Sequence, residues 1–195
     1  MQVMDSIKIV TVNCQNLATL SKRQDVLNFY KSKKYSITHF VLESEAVVEA
    51  HWGYRYIFSS FRSNSRGVCI LFNNNFEFKI HREKKDTDGN LLALDLTIEG
   101  NKTTLINVYG PNVDSPCFYE KIRDMFLEFD NDYYILCGDL NLALNPSVDT
   151  HNYSNINNPK ARKKLLDCCL DHQRCCRRRF QERCHDQQRC CRLTS

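Results

Sequence analysis

Between Tyr54 and Tyr109 the chain carries five apolar or β-branched segments separated by links too short to hold a helix. They are Tyr54–Ser59, Gly67–Phe72, Phe76–Arg82, Leu91–Ile98 and Thr103–Tyr109, and their composition predicts strands. The links Asn73-Asn74-Asn75, Asp86-Thr87-Asp88-Gly89-Asn90 and Glu99-Gly100-Asn101 are turn chemistry. A parallel neighbour needs a crossover of about a dozen residues or more, so these strands are expected to pair antiparallel.

Helical patterns flank that run on both sides. Ile7-Lys8-Ile9-Val10-Thr11-Val12 predicts a first strand. Ser21-Lys22-Arg23-Gln24 then has the form of a capping box opening a helix with Val26, Leu27 and Tyr30 inward. After Tyr109, Ser115 as N-cap and Pro116 at the first helical position predict a second helix. Phe118, Ile122, Met125, Phe126 and Phe129 line its buried face at i, i+4, i+7, i+8 and i+11. A strand Tyr133–Cys137 follows, and Asn158-Pro159 opens a third helix with Ala161, Leu165, Leu166 and Cys169 on one face. Many short-linked strands with helices outside them predict an α+β, two-layer β-sandwich.

Charge divides the chain in two. Residues 1–159 carry 16 of the 27 Lys and Arg and 19 of the 23 Asp and Glu, so this part is mildly acidic. Residues 160–195 are strongly basic, and seven of the eleven cysteines lie in 168–195. The run from Cys169 to Arg177 recurs fifteen residues on, from Cys184 to Arg192, matching at seven of nine positions. Those thiols come as adjacent pairs, not at the C-x₂-C spacing that lets two sulfurs converge on one tetrahedral ion, so the tail is expected to hold no zinc. Two units are expected: a folded domain over 1–167 and a disordered Cys/Arg-rich tail over 168–195. Arg62–Arg66 reads as a solvated turn, although any basic cluster attracts polyanions. No apolar run approaches the roughly 20 residues of a bilayer span. The start, Met1-Gln2-Val3-Met4-Asp5, has neither the basic nor the apolar region of a secretory signal. An intracellular protein, nuclear or cytoplasmic and not secreted, is expected, with no membrane partner and no assigned oligomeric state.

Three apolar strands end in hydrogen-bonding residues. The first ends at Asn13, another at Asn107-Val108-Tyr109, and another at Gly138-Asp139-Leu140-Asn141. In an extended chain residues i and i+2 share a face, so Asn107 projects with Tyr109, and Asp139 with Asn141. If these strands neighbour one another, their ends form a rim holding a carboxylate, carboxamides and a phenol. Such a set suits a hard cation and a phosphate. Taken singly, Asn and Asp after a strand are ordinary turn formers. The coincidence of three strand ends is what points to a site.

These segments resemble the endonuclease/exonuclease/phosphatase superfamily. The carriers are Ile9-Val10-Thr11-Val12-Asn13-Cys14-Gln15, Leu105-Ile106-Asn107-Val108-Tyr109-Gly110-Pro111-Asn112 and Cys137-Gly138-Asp139-Leu140-Asn141. More narrowly, with Ser63–Phe72 and Asn158–Arg162, they resemble the apurinic-type endonuclease domain of LINE-like non-LTR retrotransposons. The resemblance covers residues 6–167. It implies a DNase I-like sandwich, a Mg²⁺ cofactor with Mn²⁺ as the alternative ion, and DNA as partner. Asp139 would orient or deprotonate the attacking water, and Asn141 would stabilise charge on the phosphoryl oxygens. Tyr109 and Asn107 would hold the phosphate. Asn13 and Asp139 would serve the metal, together with Glu43 if it closes the second strand.

Two departures from the family pattern shape the expected activity. The stretch Tyr35–Glu43 aligns in two ways. One places Glu43 at the strand end as a metal ligand; the other matches Thr38-His39-Phe40 to residues beyond the ligand, so that the strand itself is missing. The family's late Asp and its Ser-Asp-His triplet have no counterpart, apart from the residue types of Asp171-His172, so the fold is expected to be incomplete at its C-terminal side. The reading is therefore a Mg-dependent phosphodiester hydrolase that is impaired or inactive in this copy. The alternatives are a phosphatase or deadenylase of the same superfamily, and a non-catalytic nucleic-acid-binding remnant.

Overall fold

A computed structural model describes residues 7–13, 19–33, 35–42, 45–61, 67–145 and 158–170. Glu43, the loop 62–66, Asp171-His172 and the repeats of the tail lie outside the described residues.

Among the described residues, eight strands form two four-stranded sheets. The first holds β1 (Ile9–Asn13), β2 (Ile37–Leu42), β4 (Gly67–Phe72) and β3 (Tyr56–Ser60), in that spatial order. The second holds β5 (Phe78–Lys85), β6 (Leu91–Ile98), β7 (Asn101–Tyr109) and β8 (Tyr133–Asp139) in sequence order. Each sheet is mixed, with one parallel pair, and each such pair is joined by a helix as the crossover rule requires. Helix α1 (Leu20–Ser32) links β1 to β2, and α3 (Pro116–Phe129) links β7 to β8. The short α2 (Glu45–His51) follows β2, and a last helix, α4, spans 159–170.

Side-chain alternation sorts the core into three apolar layers. From β4, Val68, Ile70 and Phe72 face the second sheet, where Leu92, Leu94 and Leu105 meet them. Cys69 and Leu71 of the same strand point the other way, onto Leu27 of α1 and Val48 and Trp52 near α2. On the far side, Leu91, Ala93, Ile106 and Val108 pack against α3 and α4. The architecture is thus helix, sheet, sheet, helix, the expected sandwich with its flanking helices.

Several expectations are corrected. Asn73-Asn74-Asn75 does not turn β4 back onto an antiparallel neighbour; it carries the chain from the first sheet to the second. The reason is that β4 already has β2 on one edge and β3 on the other, leaving no ladder for β5. Phe72 and Phe78 stack at 3.9 Å where the chain crosses. Helix α1 starts two residues early, capped by Thr19, whose Oγ1 accepts from Lys22 N at 3.4 Å, and not by Ser21. Ser115 occupies the N-cap of α3 but makes no side-chain cap bond; its carbonyl accepts from Phe118 N instead. In α4 the buried thiol is Cys168, reaching Tyr119 O, while Cys169 is half-buried. That helix runs on to residue 170, across the 167/168 boundary that composition suggests.

The segment Thr38-His39-Phe40 lies inside β2, parallel to β1 with Asn13 opposite Val41. A strand therefore stands beside β1 at this place. Glu43 follows the strand directly in sequence.

Candidate active site

Both sheets finish at one end of the sandwich, and the polar strand ends meet there. Tyr109 and Asp139 are the last residues of β7 and β8 and stand opposite each other in parallel register, so their side chains share a face. Across from them ends β1, and Asn13 Nδ2 donates to Asp139 Oδ2 at 2.5 Å. One carboxylate and one carboxamide, 126 residues apart in sequence, thus join the two sheets at the rim.

Two glycines make this meeting of backbones feasible. A Cβ on Gly138 would stand 2.0 Å from Val108 O, and its φ of +115° is one that L side chains rarely adopt. A Cβ on Gly110 would stand 2.1 Å from Leu140 O. Gly110 N donates to Asp139 O at 2.7 Å, so the two chain ends run in contact just past the strands.

Asn141 sits on the turn that follows, with φ +49°, a left-handed conformation Asn tolerates. Its backbone N–H donates to Asp139 Oδ1 at 2.9 Å, and its side-chain amide donates to Gly110 O at 2.6 Å. Each oxygen of Asp139 therefore accepts one N–H, which fixes the carboxylate plane and leaves lone pairs for a further partner. Tyr119 of α3 holds the next residue, its phenol donating to Leu140 O at 2.6 Å. Burial, and then the Asp139 charge, push the Tyr119 phenol well above its ordinary range, so it stays a donor.

The arrangement brings together Asn13, Tyr109, Asp139 and Asn141. It does not bring Asn107 to the rim. Two residues back along β7 is about 7 Å deeper, and Asn107 is wholly buried between the sheets, donating to Phe40 O at 3.1 Å and Cys69 O at 2.8 Å. The expectation that Asn107 touches a phosphate is corrected accordingly. Beside it stands His39, also fully buried, whose ring nitrogens have no hydrogen-bond partner among the described residues. Burial lowers His39 to about 3, and the neighbouring Asn107 opposes that shift only in part. The ring is neutral at ordinary pH.

Sequence reasoning missed the scaffolding behind Asn141. Asp114 accepts from Ala161 N at 2.7 Å at the start of α4, and Arg162 donates twice to Leu144 O, at 3.0 and 2.9 Å. The segment Asn158–Arg162 thus pins the chain that leaves the rim. A half-buried Arg-to-carbonyl pair has no local sequence signal.

Among the described residues no group of three or more His, Cys, Asp or Glu is gathered as a metal cluster. The rim offers instead one carboxylate and amide oxygens, all hard donors. That set fits Mg²⁺, which keeps several waters and takes one or two carboxylates.

No family model matches the chain. The "Transposon TX1 uncharacterized 149 kDa protein" of Xenopus laevis is 28% identical over 147 residues, which is 71% of this chain and 11% of that protein. The chain thus spans about a tenth of that relative. Among solved structures, an AP endonuclease from Archaeoglobus fulgidus is similar with a TM-score of 0.61 and 22% identity, covering 86% of this chain and 71% of that one. D. rerio TDP2 complexed with single-strand DNA product is similar at 0.54 and 17%, covering 69% and 60%. The fold is the DNase I-like one of these solved structures.

No helix among the described residues is long and apolar enough to cross a membrane.

Proposed function

We propose that this domain is a phosphodiester hydrolase that cuts a DNA backbone with the help of Mg²⁺. The observation that carries the reading is the Asn13–Asp139 contact: it places the first sheet's strand end on the carboxylate of the second sheet, opposite Tyr109. Asp139, with both oxygens oriented, accepts a hydrogen bond from the attacking water and takes its proton as the new O–P bond forms; the P–O bond to the departing strand breaks, and its oxygen takes a proton from solvent. Tyr109 donates to a phosphate oxygen. Asn13, bound to Asp139 through its amide nitrogen, and the carboxylate would together hold the cation. Asn141 fixes Asp139 through its backbone and stands next to the developing charge. A bound Mg²⁺ supplies charge neutralisation on the phosphoryl oxygens. Positioning and electrostatics of this kind do most of the work in phosphoryl chemistry. Glu43 is proposed as a further metal carboxylate, since it follows β2 directly at the end where Asn13 and Val41 pair.

Nicking of supercoiled plasmid by the purified chain tests this. This copy is proposed to be impaired, so the expected result is slow relaxation at most, well below the rate of an intact family member; what activity there is requires Mg²⁺, stops with chelator, and vanishes in Asp139→Ala. Nicking equal in wild type and Asp139→Ala would refute the reading.

A further inference from the structure

The candidate site is divided between two sheets, so its geometry depends on how one sheet sits on the other. Most of the layer between them is aliphatic and aromatic. Such packing is non-directional. The Asn13–Asp139 bond is directional but lies exposed at the rim, where water competes for both partners. Asn107 differs on both counts. Its amide is wholly buried and reaches from β7 to two carbonyls on two different strands of the first sheet, Phe40 of β2 and Cys69 of β4. On the other side its Oδ1 stands 2.8 Å from the place a Cβ on Gly138 would take, next in sequence to Asp139. Through the register Asn107 opposite Cys137 and Tyr109 opposite Asp139, whatever fixes Asn107 fixes the rim two residues above it.

We infer that Asn107 is a positioning residue: its two bonds across the sheets set where Tyr109 and Asp139 stand relative to Asn13. This rests on the reading that Asn13 and Asp139 serve one site. One amide donating to two carbonyls fixes both translation and rotation of β7 over β2 and β4, which the apolar layer around it does not. His39, neutral beside it, keeps water-seeking charge out of that layer.

The test reads the Asn13–Asp139 contact itself, with no DNA present. In the NMR spectrum of the full chain, the Asn13 side-chain amide carries the shift of a carboxylate-bonded group and loses it in Asp139→Ala. In Asn107→Leu the signal is expected to move most of the way to the Asp139→Ala position, and Mg²⁺ affinity to fall about tenfold. Leu94→Ala opens a cavity in the same layer and serves as the comparison for lost stability; it should leave the Asn13 signal in place. If Asn107→Leu fails to fold, Asn107→Ser, whose hydroxyl serves one carbonyl, carries the test with an intermediate shift. A folded Asn107 variant with the wild-type Asn13 signal overturns the inference, as does an equal shift in Leu94→Ala. Either result leaves the proposed function standing, whereas normal shifts with nicking equal in wild type and Asp139→Ala refute that function and spare the inference.

Discussion

The two helical faces of this sandwich are not built alike. Behind the second sheet, α3 buries Phe118, Tyr119, Ile122, Met125, Phe126 and Phe129, and α4 adds Ala161, Leu165 and Cys168. Behind the first sheet, α1 fully buries Leu27 while Leu20 and Phe29 stay 56% and 50% exposed. The heavily packed half carries Tyr109, Asp139 and Asn141, and both its helices reach the rim directly, Tyr119 through Leu140 and Arg162 through Leu144. The lightly packed half contributes Asn13 from an exposed strand end. In the proposed function, the groups assigned to the phosphate stand on the heavily packed side, and the partner assigned to the cation comes from the lightly packed one. Precision of that kind is worth more on a well-supported element than on a loose one.

Breaking the two faces in parallel should show the difference. Ile122→Ala removes a side chain from the centre of the α3 face and should cost about 3–4 kcal/mol in urea unfolding. Val26→Ala on α1, where the side chain is half-buried, should cost about 1 kcal/mol. Equal losses would mean the faces are energetically alike despite their burial.

The layer between the sheets gives the next largest effect, and its sign follows from His39. The folded ring stays neutral down to about pH 3, whereas the unfolded one takes a proton below 6.5. The unfolded state therefore binds more protons in that window. Stability is full above pH 6.5 and declines as pH falls towards 3, by about 2 kcal/mol between pH 7 and pH 5. His39→Leu should flatten that slope, because it removes the group whose protonation differs between the folded and unfolded states. An unchanged slope in the variant would assign the acid sensitivity elsewhere.

Helix starts give the smallest contrast, and here the order reverses. Thr19 caps α1 with its side chain, so Thr19→Ala should cost about 1 kcal/mol. Ser115 makes no side-chain cap, so Ser115→Ala should change the melting temperature by less than Thr19→Ala does.

Much of this organisation is legible in the sequence, and the failures have physical causes. The strand ends at Asn13, Tyr109 and Asp139 follow from period-two alternation and the residues that stop it. The face of α3 follows from its apolar spacing. What alternation cannot give is depth: it puts Asn107 on the same face as Tyr109, but whether that position lies at the rim or inside the sandwich depends on the second sheet above it. Nor does a three-residue Asn link say which sheet the next strand joins, because that is decided by which ladder edges are already taken. The scaffold from Arg162 to Leu144 is tertiary throughout and leaves no local trace.

The central claim is that Asn13 and Asp139, from two sheets, form one cation site beside Tyr109. A Mg²⁺ titration followed by NMR tests it most directly. Saturable shifts should centre on the side chains of Asn13 and Asn141 and on the backbone of Tyr109 and Asp139, and should vanish in Asp139→Ala. Shifts that persist in Asp139→Ala, or that centre away from this rim, would contradict the account.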